Sequence, residues 1–318
     1  MEPLVRRIRG AVPSAGAMRW IGALLTLAAL AVLGLLIARA DWRELIRPLA
    51  AARPEWLAAA IALAFSVEVA KTVRWQSLLG LGFADLPRLL ALLFTGRLLN
   101  LLAPLRAGDL WRVASAAGGE GQPLLVTGGS VVAEKLLDGA ALAVAGAVLL
   151  WQPGEHGAWI LLPSVAAIGA MTLALALGVR IGARPKLARW IVGAEHIKQW
   201  RTLLKITLLT VAGLGLGLLV NLCALRALGM PAATPTVLAM LVSGYAAGLL
   251  PAGPGQLGVF ELAVAAPLMA QGFPPTSAVA AALALHLVML TMLLLGGAMS
   301  LPLNLRLRTG KRPNRGDQ

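Results

Sequence analysis

The chain alternates between long runs without charge and short polar breaks. Residues 20–38 carry no charge and are bracketed by Arg19 and Arg39. Residues 206–225 and 227–260 are also uncharged, and within 262–305 the one side chain able to carry charge is His286. Between 139 and 179 the only formal charge is Glu155, in the break QPGEHG. An apolar run over 56–82 carries Glu68, Lys71 and Arg74, and another over 87–105 contains Arg97. A spanning helix needs about 20 mostly apolar residues, so the pattern predicts about six full spans: 20–38, 56–80, 123–151, 157–179, 206–226 and 275–303.

Charge placement orients these spans. Cytoplasmic loops carry the excess of Lys and Arg. Segment 180–205 holds seven of them and segment 306–315 holds five, whereas the breaks at 152–157, 229–234 and 271–275 hold none. Both termini and segment 106–122 are then expected in the cytoplasm, leaving Arg39, Arg43, Arg47, Arg53 and Arg226 outside. With that sidedness 87–105 has both ends on one face, as does 235–270. Each is expected to be a re-entrant broken-helix hairpin, the first entering from the cytoplasm and the second from outside. Two full spans in their place would also keep the termini together, but would export the arginines of 106–122.

Composition places the chain in a class. It has 318 residues, 58% hydrophobic and 13% charged, with a net charge of +14 and a mean hydropathy of +0.80. Soluble domains are about 45–50% apolar and about a quarter charged. A disulfide scaffold is excluded by the single Cys223. A nucleic-acid binder could carry this charge but not these uncharged runs. The expectation is an all-α integral membrane protein of the inner (plasma) membrane. Arg6, Arg7 and Arg9 before the first run resemble a secretory signal, but 19 residues exceed a cleaved signal's apolar core of about 7–15. That run is read as an uncleaved first helix. Residues 1–19 form a cytoplasmic lead, 20–303 the transmembrane domain and 304–318 a basic tail. Trp20, Trp42, Trp56, Trp75, Trp111, Trp151 and Trp159 fall near helix ends and are read as interfacial anchors. Within 184–203, Leu187, Trp190, Ile191, Ala194 and Ile197 recur at helical spacing opposite Lys186, Arg189 and Lys198. That pattern predicts an amphipathic helix on the anionic inner leaflet.

Two segments break regular helix at membrane depth. In 97–112 the breakers are Pro104 and Gly108; in 249–261 they are Pro251, Gly253, Pro254, Gly255 and Gly258. Non-helical backbone within a bilayer requires a protein or water-lined setting. Paired broken helices in opposite halves point to a midplane substrate site in an inverted-repeat transporter. Each second half-helix would offer its N-terminal N–H groups to a phosphate.

Intramembrane charge supplies candidate chemistry, since each such group costs at least about 2.5–3.5 kcal/mol on insertion scales. Arg97, Arg106 and Arg112 suit a lipid phosphate, because guanidinium forks match its oxygens. Asp109, Glu134, Asp138 and Glu261 would balance them or meet a cationic headgroup, with Lys135 adjacent and Asn100 adding an uncharged hydrogen bond. His286 is read first as a hydrogen-bonding link between helices and second as a proton carrier, and it joins the substrate-binding set. Pairing as salt bridges that orient helices is the competing account of these charges. The chain shows no HExxH, no Cys/His metal cluster, no GxSxG and no Walker loop. No catalytic residue, metal or cofactor is therefore expected. A lipid-modifying enzyme built on Glu134 and Asp138, or a scaffold for an envelope pathway, is the alternative.

Three motifs acquire a further meaning together. They are Asn100, Pro104, Arg106, Gly108, Asp109 and Arg112; then Glu134, Lys135 and Asp138; then Pro251, Pro254, Gly255, Gly258 and Glu261. Their order and spacing resemble the lysylphosphatidylglycerol synthase transmembrane-region family, which is flippase-like. The resemblance implies translocation of an anionic, aminoacylated or polyprenyl/glycolipid-type lipid, without the aminoacylating domain, which is expected to be absent. Its implied partners are the lipid substrate, and a second copy or a lipid-synthesis enzyme. The family usually has arginine where this chain has Lys135, and commonly arginine where it has His286; both changes weaken a cationic grip on phosphate.

Overall fold

The structure is a computed structural model describing residues 15–39, 42–102, 107–120, 123–150, 199–248 and 254–309. Among these residues it is helical throughout, with no strand. The helices are α1 (Ala15–Arg39), α2 (Trp42–Ala50), α3 (Pro54–Leu79), α4 (Leu86–Leu102) and α5 (Ala107–Glu120), followed by α6 (Leu124–Leu150), α7 (Trp200–Ala227), α8 (Thr234–Ala247), α9 (Val259–Ala270) and α10 (Pro275–Thr309). Helix 157–179, the 184–198 part of the amphipathic helix, Pro104, Arg106 and Pro251 lie outside the described residues.

Among the described residues three helices are long and apolar enough to cross a membrane: 54–79, 200–227 and 275–302. At 1.5 Å per residue, the 26 residues of α3 reach about 39 Å, beyond the hydrocarbon thickness of about 30 Å. The 27-residue α6 matches them in length but carries Glu134, Lys135 and Asp138 in its middle. Helix α1 starts at Ala15, and α10 continues to Thr309, so both run past the expected ends of the transmembrane segment.

α3 and α7 form the antiparallel backbone of the bundle. The Arg53 N–H donates to the Ala227 carbonyl at 2.9 Å at one end, and Arg74 donates to Thr210 Oγ1 at 3.1 Å towards the other. Pro54 at its first turn and left-handed Gly80 (φ 67°) at its end delimit α3, with the Leu81 N–H on the Gln76 carbonyl at 3.2 Å.

Two antiparallel helix pairs sit between these long helices. In the first, α4 and α5 meet backbone to backbone at Gly96 and Gly108, where a Cβ on Gly108 would overlap the Gly96 carbonyl. Gly108 thus lies inside the first turn of α5, and close approach, not helix breaking, is what requires it. In the second, α8 and α9 pack through Gly244 against Phe260 and Val264, and Thr236 Oγ1 donates to Gln271 Oε1 at 2.8 Å. The 17, 14, 14 and 12 residues of α4, α5, α8 and α9 correspond to about 25, 21, 21 and 18 Å. The tips of the pairs touch: Gly255, in a 3-10 turn at Pro254–Gln256, lies against Leu101 at the end of α4.

α10 closes the bundle. Ala278, Ala280, Ala281 and Ala282 are inaccessible on its N-terminal half, and Gly296 and Gly297 receive Phe94 and Leu98 of α4. Small residues let helix backbones approach closely where lipid offers no hydrophobic drive for association. Trp75 departs from its expected place. It is fully buried, its Nε1–H bound to Ser130 Oγ at 2.9 Å, so it is a core residue and not an interfacial anchor. Helix α2 was not anticipated; nine residues with Pro48 inside fall below any span signal, yet Leu45 is buried in the core.

Candidate functional site

A cavity of about 660 Å³ opens where the two tips meet α3, α6, α7 and α10. That volume lies within the range of about 300–1,000 Å³ typical of small-molecule sites. Its polar wall includes Arg97, Asn100, Asp109, Arg112, Glu134, Lys135, Asp138 and His286, all expected from sequence, and adds Glu68 and Lys71 from α3, Tyr245 from α8 and Gln256 from the second tip. Asn221 of α7 also lines it, and the apolar wall includes Phe260, Leu285, Met289 and Leu293. Glu261 stands behind this wall, bonded to His286.

The charges sort by what they touch. Arg112 Nη2 meets Glu134 Oε2 at 3.1 Å, with side chains 4% and 2% exposed. The same guanidinium lies over the Trp75 ring, 4.5 Å from its centroid. Arg112 therefore clamps α5 onto α3 and α6 through Nη2 and its stacked face, while its buried Nε has no hydrogen-bond partner among the described residues. Arg74 is likewise committed, to Asp138 Oδ1 at 2.5 Å and Thr210. These pairs carry the helix-orienting role that salt bridges can have.

Three cations face the cavity more openly. Arg97, 36% exposed, has Nε 2.7 Å from Glu68 Oε2. Lys135, 38% exposed, is loosely placed between Asp109 at 3.7 Å and Glu134 at 3.9 Å. Lys71 rests over the Tyr245 ring at 4.9 Å, and among the described residues it has no carboxylate within ion-pair distance. Sequence periodicity marked Glu68 and Lys71 as charges in a span, but a one-helix pattern does not say that α4, α6 and α8 converge on them.

The helix N-termini expected to receive phosphate are partly taken by the protein itself. The Gly108 N–H donates to Asn100 Oδ1 at 2.8 Å, and Asn100 Nδ2 donates to Asp109 Oδ1 at 3.3 Å. At α9 the Gly258 N–H donates to Glu261 Oε2 at 2.7 Å. Glu261 supplies half of a capping box, since glycine has no side chain to return the bond. Its carboxylate occupies the place an anion would take at that dipole end. The tip needs glycine here for two reasons: Gly258 has φ 79°, and a Cβ would meet the Leu30 nitrogen of α1 at 2.9 Å.

Charged residues of both signs thus concentrate on the α3–α4–α5–α6 side of the cavity, while α10 supplies a strip of apolar residues, Leu285, Met289, Leu290, Met292 and Leu293, with others contributed by α3, α4, α7, α8 and α9. Neither the curated proteins nor the solved structures contain a detectable match to the chain. Residues 19–297, which span both tips and every charge described here, match the lysylphosphatidylglycerol synthase TM region, and the chain belongs to that family.

Proposed function

We propose that the protein is a lipid translocase that moves an anionic lipid between the leaflets of the bacterial inner membrane. The observation that carries this reading is the cavity at the meeting of the two tips, with cations and carboxylates of α3–α6 on one part of its wall and a strip of apolar α10 residues on another. Arg97, Lys135 and Lys71 hold the phosphate-bearing head, and Phe260, Met289 and Leu293 accompany the chains. In this reading α4–α5 and α8–α9 are re-entrant pairs entering from the cytoplasm and from outside, and both termini lie in the cytoplasm. Transport is the activity; no covalent chemistry on the lipid is assigned. Phosphatidylglycerol, polyprenyl phosphates and glycolipids with a phosphate link share the recognised group.

The test is leaflet exchange in liposomes containing the purified protein and fluorescent phosphatidylglycerol, read by quenching of outer-leaflet label. Exchange should exceed that of protein-free liposomes and fall in Lys71→Met. Exchange at the protein-free rate for phosphatidylglycerol and for a polyprenyl phosphate alike removes the reading. A new lipid species formed in the same liposomes would favour a lipid-modifying enzyme instead.

A further inference from the structure

The pair formed by Glu261 and His286 lies away from the cations assigned to the head. His286 Nδ1 is 2.6 Å from Glu261 Oε1, and both side chains are nearly inaccessible. The other carboxylate oxygen accepts the Gly258 N–H at 2.7 Å. One carboxylate therefore joins an imidazole on α10 to the backbone that begins α9. The imidazole lines the cavity beside Phe260, ring centroids 4.8 Å apart, and its Nε2 has no protein partner among the described residues.

The charge balance around this pair is unusual. Glu68 and Lys71 of α3 and Arg97 of α4 line the same cavity, but Glu68 pairs with Arg97 and Lys71 sits on Tyr245. The described side chains of α1 that reach Gly258 are apolar, Leu30 among them. The charged residues of α2 (Arg43, Glu44, Arg47) and of α7 (Arg201, Lys205, Arg226) are exposed. Among the described residues no fixed cation thus accompanies the buried Glu261 carboxylate, and His286 is the ionisable group paired with it. A buried carboxylate without a counter-charge is costly, and a proton is the counter-charge this pair can acquire.

We propose that Glu261 and His286 form a proton-binding site that links proton passage to the grip on the second tip. This goes beyond the translocase reading and supplies it with an energy source. In the observed geometry the imidazole Nδ1–H donates to Glu261, and Nε2 faces the cavity. Hydronium reaching the cavity transfers a proton to Nε2 and leaves as water, forming an imidazolium–carboxylate pair with no net charge. Its loss to water restores neutral imidazole and leaves the carboxylate charge uncompensated. The uncompensated state favours a rearranged, hydrated setting for Glu261, and its bond to Gly258 carries that change to the tip resting on Leu101.

Two measurements test this on the full chain. In liposomes, lipid exchange by the wild type should respond to an imposed pH gradient and vary about tenfold across the window of about pH 5–8 in which histidine changes charge. In His286→Asn, whose amide can still donate to Glu261, and in Glu261→Gln, which keeps an oxygen for Gly258, the exchange that remains should be flat with pH. A wild-type rate indifferent to the gradient and to pH, or a His286→Asn rate that keeps the wild-type dependence, overturns the proposal. Independently, nitrogen NMR of the three histidines, assigned with His156→Gln and His196→Gln, should show His286 gaining a proton inside that window. An imidazole that holds one state throughout overturns the proposal whether or not lipid moves. Absence of lipid exchange under every gradient removes the translocase reading alone, and the titration then decides the proton site.

Discussion

Arg112 and Glu134 face each other at 3.1 Å in the interior, with the Arg112 guanidinium stacked on Trp75. The arrangement fixes the inner arm of the first broken pair to two long helices at once. An ion pair in such a place is not a simple gain in stability. Its value lies in the fact that each member is intolerable alone.

Removing one partner should therefore be far worse than removing both. Arg112→Met is expected to cost about 3–5 kcal/mol, as for other broken buried pairs, and Glu134→Leu a comparable amount. The double variant should recover much of that loss. Thermal unfolding in detergent measures all three, and an Arg112→Met protein as stable as wild type would show that Glu134 finds another partner.

The Gly96–Gly108 contact gives a steric expectation. A methyl group on Gly108 has no room against the Gly96 carbonyl, so Gly108→Ala should cost about 1–3 kcal/mol, the usual range for overpacking. Gly34→Ala in α1 meets nothing within 4 Å. It should leave stability unchanged or raise it by up to about 1 kcal/mol through helix propensity. Equal melting temperatures for the two variants would contradict the close approach of α4 and α5.

How much of this was legible beforehand depends on the kind of interaction. Helix positions were legible, because an uncharged run of bilayer length has few other uses; α3, α7 and α10 lie where the pattern put them. The second break was legible in part from Pro254, Gly255 and Gly258, which lie in the turn before α9. Gly108 shows the limit: a glycine near a break reads as a breaker, and only the neighbouring backbone reveals close packing. Arg112 and Arg97 look alike in sequence, yet one is bound to Trp75 and Glu134 and the other opens to the cavity. That difference is set by α3 and α6, distant in the chain, and no local spacing carries it. Trp75 misleads for the same reason: position near a helix end suggests an interface, while Ser130 on another helix draws it into the core.

Lys71 and Arg97 allow binding to be separated from folding. Lys71 leaves no carboxylate unpaired when removed, so Lys71→Met should fold as wild type while losing affinity for phosphatidylglycerol. The loss is expected to be about tenfold, the equivalent of about 1.4 kcal/mol. Arg97→Met strands Glu68, which is 5% exposed, so it should lose stability as well as affinity. Native mass spectrometry of lipid-bound protein and a melting curve give the two readouts. A Lys71→Met protein with undiminished phosphatidylglycerol binding would move the head away from Tyr245.

The sidedness of the two helix pairs can be decided by thiol labelling. Cys223 is buried, and its replacement by Ser gives a background for single exposed cysteines. Ala84 and Pro123 flank the open end of α4–α5, and Ala233 precedes α8; all three positions are exposed. If α4 and α5 enter and leave on one face, cysteines at 84 and 123 should react with an impermeant maleimide from the cytoplasmic side only. A cysteine at 233 should then react from the opposite side, because the 206–226 span separates it from the basic 180–205 segment. The lengths of α5 and α9 argue for this outcome, since about 21 and 18 Å fall short of a hydrocarbon core of about 30 Å. Tips that meet inside the bundle also favour it, because Gly255 rests on Leu101 and not on a loop at an aqueous face. Labelling of 84 and 123 from opposite sides would make α4–α5 a crossing element. The 106–122 arginines would then lie outside, and the cavity would need a different route to the cytoplasmic leaflet.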